Sequence, residues 1–305
     1  MNAPLVLIAS YPKSGNTWTR IVFEKLRHGQ QFSMNSLDGS YQGIHRRLLF
    51  DRLMTVNAAD LLPDEVENFL PELYRELAVE TSGTAFVKVH DNIRHTGWGE
   101  WIYPSDCVRA AIYLTRHPFD VAVSNANHFG ISIEAAVDFL AEEMAPGINT
   151  TSLPESLDQH FGTWSGHVKS WLGGAPYPLT VARYEDLLSD PVSGFVRLAR
   201  AAGLAHDASS VAGAVETSQF SVLQEEEMRS GFRERPDTCR LFFRSGRARS
   251  WEGILEKNLQ DRLVRDHGAA MERMGYRPDG GVSPWNADQK FGSMETNRTD
   301  AYSSP

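Results

Sequence analysis

The chain opens on a strand–turn–helix unit that restricts its fold more than any other feature. Leu5-Val6-Leu7-Ile8-Ala9 is an unbroken apolar run, the pattern of a strand buried on both faces in a parallel sheet. Ser10-Tyr11-Pro12-Lys13-Ser14-Gly15 then turns. Asn16 to Leu26 reads as a helix, with Trp18, Ile21, Val22 and Leu26 at helical spacing. A helix starting directly after such a strand aims its free N–H groups and the positive end of its dipole at the sheet edge, where an anion can be held. Lys13 adds a mobile cation, Ser14, Asn16 and Thr17 add small polar groups, and Trp18 offers a flat face to a base. The common triphosphate loop places Lys directly after its second Gly. Here Lys13 precedes Gly15 and the leading Gly is missing.

The same alternation continues. Further strands are expected at Ala85–His90, Arg109–Thr115 and Pro178–Ala182. Helices are expected at Asp64–Val79 (broken or kinked by Pro71), Phe119–Asn127 with Pro118 in its first turn, Ile133–Met144, Leu157–Leu172, Pro191–Ala202, Ala208–Glu216 and from Ser250 to about Met274. Strands alternating with helices predict an α/β fold, a single domain with a central parallel sheet flanked by helices. That domain is expected over residues 1–277. A Gly-, Pro-, Asn- and Ser-rich tail over 278–305 is expected to be loosely ordered. Residues 28–60 are mixed in character and read as a cover over a site.

Composition limits the partners. The net charge of −9 argues against nucleic acid and acidic membranes, which select basic surfaces. Yet seven arginines lie between Arg229 and Arg249, opposed only by Glu234 and Asp237. Such a segment on an acidic protein suits a small polyanion, and equally suits a solvated loop balanced by Glu225, Glu226 and Glu227. Two distant cysteines, Cys107 and Cys239, make no metal-type spacing. With no leader-like start and no apolar run of spanning length, the expectation is a soluble, cytoplasmic protein with reduced thiols.

Five separated segments carry a resemblance. Tyr11-Pro12-Lys13-Ser14-Gly15-Asn16-Thr17-Trp18 resembles the 5′-phosphosulfate loop of the cytosolic-type sulfotransferases that use 3′-phosphoadenosine 5′-phosphosulfate (PAPS), with Asn16 where Thr is usual. Arg116 to Ser124, including Asp120-Val121-Ala122-Val123, resembles that family's 3′-phosphate motif. Phe242-Phe243-Arg244-Ser245-Gly246 resembles its Phe-Met-Arg-Lys-Gly segment, with Ser245 in place of Lys. Tyr184-Glu185-Asp186 and Ser218-Gln219-Phe220 resemble its two adenine-contacting segments.

The resemblance implies a P-loop-nucleotide-hydrolase-like sulfotransferase fold, PAPS as co-substrate and adenosine 3′,5′-bisphosphate (PAP) as product, with no metal. It assigns the nucleotide to Lys13, Ser14, Gly15, Asn16, Thr17, Trp18, Arg116, Ser124, Tyr184, Ser218, Phe220, Phe243, Arg244, Ser245 and Gly246. Val87-Lys88-Val89-His90 resembles the family's Lys-Thr-His, which makes His90 the general base, with Lys13 and Lys88 stabilising the leaving group. Alternation puts Lys88 and His90 on one side of their strand. The acceptor is expected to be a small molecule carrying a hydroxyl, less readily an amine. Residues 36–55, 91–103 and 127–155 are its expected walls, with Tyr41, Phe50, Trp98, Trp101, His128 and Phe129 as candidate ring contacts. The sequence leaves the oligomeric state open. Two alternatives are a nucleotide-dependent small-molecule kinase and a catalytically inactive nucleotide-binding module.

Overall fold

The computed structural model describes residues 3–37, 45–143 and 156–285. Four parallel strands form its sheet: β1 (Leu5–Ser10), β2 (Ala85–Val89), β3 (Val108–Thr115) and β4 (Leu179–Arg183). Their spatial order is β2-β1-β3-β4. β1 therefore sits between β2 on one side and β3 on the other, in register Ala9↔Val89 and Ala9↔Tyr113. The chain crosses over β1 between β2 and β3. The carboxyl ends of β1, β2 and β3 thus meet at a topological switch point, where open α/β sheets leave a crevice.

Helices follow in the order α1 (Asn16–His28), α2 (Arg47–Met54), α3 (Pro63–Glu80), α4 (Pro118–Phe129), α5 (Ile133–Ala141), α6 (Trp164–Gly174), α7 (Tyr184–Ser189), α8 (Pro191–Ala201), α9 (Ala208–Glu216), α10 (Phe220–Ser230) and α11 (Lys257–Arg273). All of β1 is buried, as its apolar run requires. Leu5, Leu7 and Ala9 face a core shared with α3, α4, α6 and α11. Val6 and Ile8 face a second core with α1, α8 and α9. The α/β expectation holds: a parallel sheet with helices on both faces.

Three helix expectations differ from the structure. Pro71 lies inside an unbroken α3. A proline there gives up one helix hydrogen bond, but Leu70, Leu73, Tyr74 and Leu77 on both sides of it are buried in the first core and keep the helix continuous across it. The helix expected from Leu157 starts only at Trp164, where Thr163 caps it. The preceding residues stay extended because Asp91 accepts the His160 N–H (2.7 Å) and the Asn92 N–H donates to the His160 carbonyl. The helix expected from Ser250 starts only at Lys257. Asp120 takes the N–H groups of Arg249 and Trp251 and the Ser250 hydroxyl, and Gly253 adopts a positive φ. Of the expected tail, residues 278–285 are described. The Ser283 N–H donates to the Gly275 carbonyl and the Ser283 carbonyl accepts from Arg183.

Candidate active site

A cavity of about 310 Å³ opens at the switch point, and seven chain segments converge on it. The loop leaving β1 comes first. Gly15 caps α1 with φ 100°. A side-chain carbon there would come within 2.9 Å of the Tyr184 ring, so glycine is required by both conformation and space. No side chain caps the α1 N-terminus, and Gly15, Asn16, Thr17 and Trp18 line the cavity. Lys13 is also left-handed, at φ 70°, a strained state for a residue with a side chain. Its ammonium donates to His128 Nδ1 (3.3 Å) and lies 3.8 Å from the centre of the Phe242 ring. Burial pushes the Lys13 ammonium down to about 7, helped by Lys88 and Arg116 and opposed by Cys239 and Glu234.

Two loop residues have side chains held inside the fold. Asn16 lines the cavity, and its side chain is bonded internally. Its amide donates to the Ile8 carbonyl (2.7 Å) and to Ser10 Oγ, and its oxygen accepts from Arg20 Nε. The Ser14 hydroxyl is buried outside the cavity lining and has no hydrogen-bond partner among the described residues.

At the end of β2, Lys88 and His90 both line the cavity, as alternation requires. His90 Nδ1 lies 2.7 Å from the Ser10 carbonyl, with the Ser10 hydroxyl also in reach. A carbonyl only accepts, so Nδ1 carries the proton and Nε2 keeps its lone pair. Burial, then the charge of Lys88, holds His90 well below the usual imidazole range, so it is neutral at pH 7. A buried relay fixes its backbone: the Tyr113 hydroxyl donates to His167 Nδ1, and His167 Nε2–H donates to the His90 carbonyl (3.0 Å).

The opposite end of the cavity is built from β3, α4 and the chain before α11. Arg116 donates to the carbonyls of Lys13 (3.3 Å) and Arg247 (3.1 Å), and its guanidinium covers the Tyr184 ring at 4.5 Å. Asp120 stays 3.8 Å away, occupied by residues 249–251. Arg116, Ser124, Tyr184, Ser218, Phe220, Phe243, Arg244, Ser245 and Gly246 all line this end. Gly246 has φ 61°, and a side-chain carbon there would come 2.0 Å from the Phe220 ring, so the Phe220 ring rests directly on the Gly246 backbone. Ser218 Oγ, Trp18 Nε1 and Arg116 Nε are buried without a partner among the described residues. Trp18 meets Tyr184 and Phe195 edge-on.

Several wall residues gave no sequence signal. Glu227, at the end of α10, accepts the N–H groups of Phe242 (2.8 Å) and Phe243 (2.9 Å) and so shapes the segment that carries Arg244. Glu234 lines the cavity and bonds Arg20 and Lys88. Asn127, Gln159 and Phe161 complete the wall near His90. Of the candidate acceptor rings, His128 and Phe129 line the cavity. Phe50 is core, Trp98 lies edge-on to Phe69, and Trp101 rests on His95; Tyr41 falls outside the described residues. None of the described residues within 28–60 lines the cavity, and residues 38–44 of that region fall outside the described residues.

A parallel sheet with helices on both faces, whose strand ends and loops open on one cavity at the switch point, defines an α/β protein with a single-domain site of this kind. The chain belongs to the sulfotransferase domain family, which matches residues 3–275, and it is a sulfotransferase. It is 21% identical over 274 residues to the flavonol 3-sulfotransferase of Flaveria bidentis, covering 85% of this chain and 78% of that one. Its fold is similar to retinol dehydratase solved with retinol and PAP (TM-score 0.60, 19% identity, 91% of this chain and 84% of that one). It is also similar to a mouse sulfotransferase solved with PAP (TM-score 0.55, 17% identity, 92% and 87%). Among the described residues no helix is long and apolar enough to cross a membrane.

Proposed function

We propose that the cavity takes PAPS as donor and passes its sulfonate to the hydroxyl of a small-molecule acceptor, releasing PAP. The carrying observation is that His90 turns a bare Nε2 into the same cavity that Lys13 and Lys88 line at one end and Arg116, Ser124 and Arg244 line at the other. The unpartnered Ser218 Oγ, Trp18 Nε1 and Arg116 Nε support a polar ligand, since buried polar atoms are normally paired. PAPS supplies an activated sulfonate on a phosphate leaving group. His90 Nε2 removes the acceptor's proton as the new S–O bond forms, while Lys13 and Lys88 offset charge on the departing oxygen. The α1 N-terminus and Lys13 hold the 5′ side; Arg116, Ser124 and the 244–246 backbone hold the 3′-phosphate; Tyr184, Ser218 and Phe220 enclose the adenine.

Relatives named for flavonol and retinol support a small hydroxylated acceptor, and Phe129 and Phe161 beside His90 suit an apolar one. Two unpaired cysteines fit a cytoplasmic setting. The test is turnover of labelled PAPS over a panel of phenols and alcohols with a chelator present, against ATP with Mg²⁺. Transfer from PAPS in chelator supports the reading. Phosphate transfer that needs ATP and Mg²⁺ replaces it with a kinase, and PAP binding without turnover replaces it with an inactive binding module.

A further inference from the structure

Glu234 is the one carboxylate among the described residues lining the cavity. A fixed negative charge is costly where a polyanionic nucleotide must enter, so its presence calls for a reason. Its two oxygens accept from Arg20 Nη2 at 2.8 and 2.7 Å, and Oε2 lies 3.4 Å from Lys88 Nζ. Arg20 is itself fixed, through Nε to Asn16 Oδ1 (3.1 Å) and through Nη2 toward Thr17 Oγ1. Asn16 in turn hangs on the end of β1. One carboxylate thus ties three parts of the site together: the first turn of α1, the catalytic end of β2, and the segment that runs on to Phe242 and Arg244.

The charges around Lys88 show what the tie achieves. Lys13 faces it from the loop after β1, Arg20 from α1, and His128 from α4, with His90 next along its own strand. Glu234 is the sole anion in that set. Burial and Arg20 both favour a neutral amine at Lys88, and Glu234 opposes them. A neutral Lys88 would neither attract a sulfonate nor offset charge on a leaving oxygen.

We propose that Glu234 is a positioning residue of the transfer reaction, a resident counter-ion that, itself held by Arg20, holds the Lys88 ammonium beside His90. The proposal rests on the sulfotransferase reading for its consequence and on the Glu234–Lys88–Arg20 geometry for its substance.

The test compares Glu234→Gln and Glu234→Asp with the parent protein, using lysine labelled at Cε with ¹³C and assigning Lys88 by Lys88→Arg. In the parent, the Lys88 midpoint lies above that of Glu234→Gln by about one to three pH units, the span for an opposite charge at this range. Glu234→Asp recovers most of that difference. In turnover with PAPS and 2-naphthol, Glu234→Gln lowers kcat at least tenfold and moves the alkaline limb of the pH profile to lower pH. PAP affinity, read by calorimetry, changes less than about threefold, and in a Lys88→Met background the Glu234→Gln loss disappears. An unmoved Lys88 midpoint in a folded Glu234→Gln, or an undiminished loss in the Lys88→Met background, overturns the proposal. Failure of the parent to bind PAP instead overturns the sulfotransferase reading and leaves the titration to decide the role of Glu234.

Discussion

In the proposed reaction His90 and Lys13 divide the work by charge state. His90 is held neutral by burial and by the charge of Lys88, so its base form persists well below the ordinary imidazole range. The acidic limb of the kcat profile is therefore expected below the range in which an ordinary imidazole titrates. His90→Ala should reduce turnover by about 100- to 10,000-fold, the usual contribution of a general base, with PAP affinity within about threefold of the parent. Near-normal turnover in that variant would remove His90 from the reaction. Lys13 is the opposite case, with its ammonium pushed down to about 7 by burial. Above pH 7 it is largely neutral, and an arriving phosphate raises its proton affinity. Binding PAP at pH 8, where the nucleotide's phosphates are already dianionic, should therefore take up close to one proton. Calorimetry in two buffers of different ionisation enthalpy reads this directly, and Lys13→Met should abolish the uptake at pH 8.

Elements decide where these side chains meet. The segment closing the 3′ end depends on a glycine against a ring: Gly246 at φ 61° with the Phe220 ring where a side-chain carbon would stand. Gly246→Ala adds both a left-handed strain of order 1 kcal/mol and a collision that must lift Phe220 or the backbone. A loss of PAP affinity of at least tenfold is expected, with the far-UV spectrum unchanged; unchanged affinity would detach this segment from nucleotide binding. The glycine, the ring and Arg244 were legible in sequence because each belongs to a short ordered motif. So were β1, its loop and α1, where an apolar run and a turn fix the structure locally. What was not legible depended on partners far along the chain. The stretch before Thr163 has helical composition yet is pulled straight by Asp91 and Asn92, some seventy residues earlier. The stretch after Ser250 is unwound by Asp120, 130 residues before Ser250. That the Asn16 side chain is bonded to Ile8 and Arg20 was likewise not legible, because sequence shows its polarity and not its partners. Glu227 and Glu234 sat in a charged run that looked like solvated surface.

At the scale of the whole molecule, the cavity is a joint. Its walls come from the loop after β1, the β3–α4 junction, the start of α10 and the segment before α11. These elements otherwise belong to different cores: α4 and α11 to one face of the sheet, α1 to the other, and Phe243 to a third cluster with Ile21 and Leu223. A nucleotide spanning both ends would bridge packing units that protein contacts join through Arg116, Asp120, Glu227 and Glu234. Ligand present at 100 times its Kd stabilises the native state by about 2.7 kcal/mol. In a chain of this size that amounts to a rise in Tm of roughly 5 °C. The distinguishing feature is which ligands produce it. PAP carries phosphates for both ends and should give the full shift, whereas adenosine 5′-monophosphate at the same concentration engages only the loop after β1 and should give much less. Arg116→Ala should bring the PAP shift down to that of the monophosphate. Equal shifts from the two nucleotides in the parent protein would mean that the Arg116 end of the cavity does not hold a phosphate.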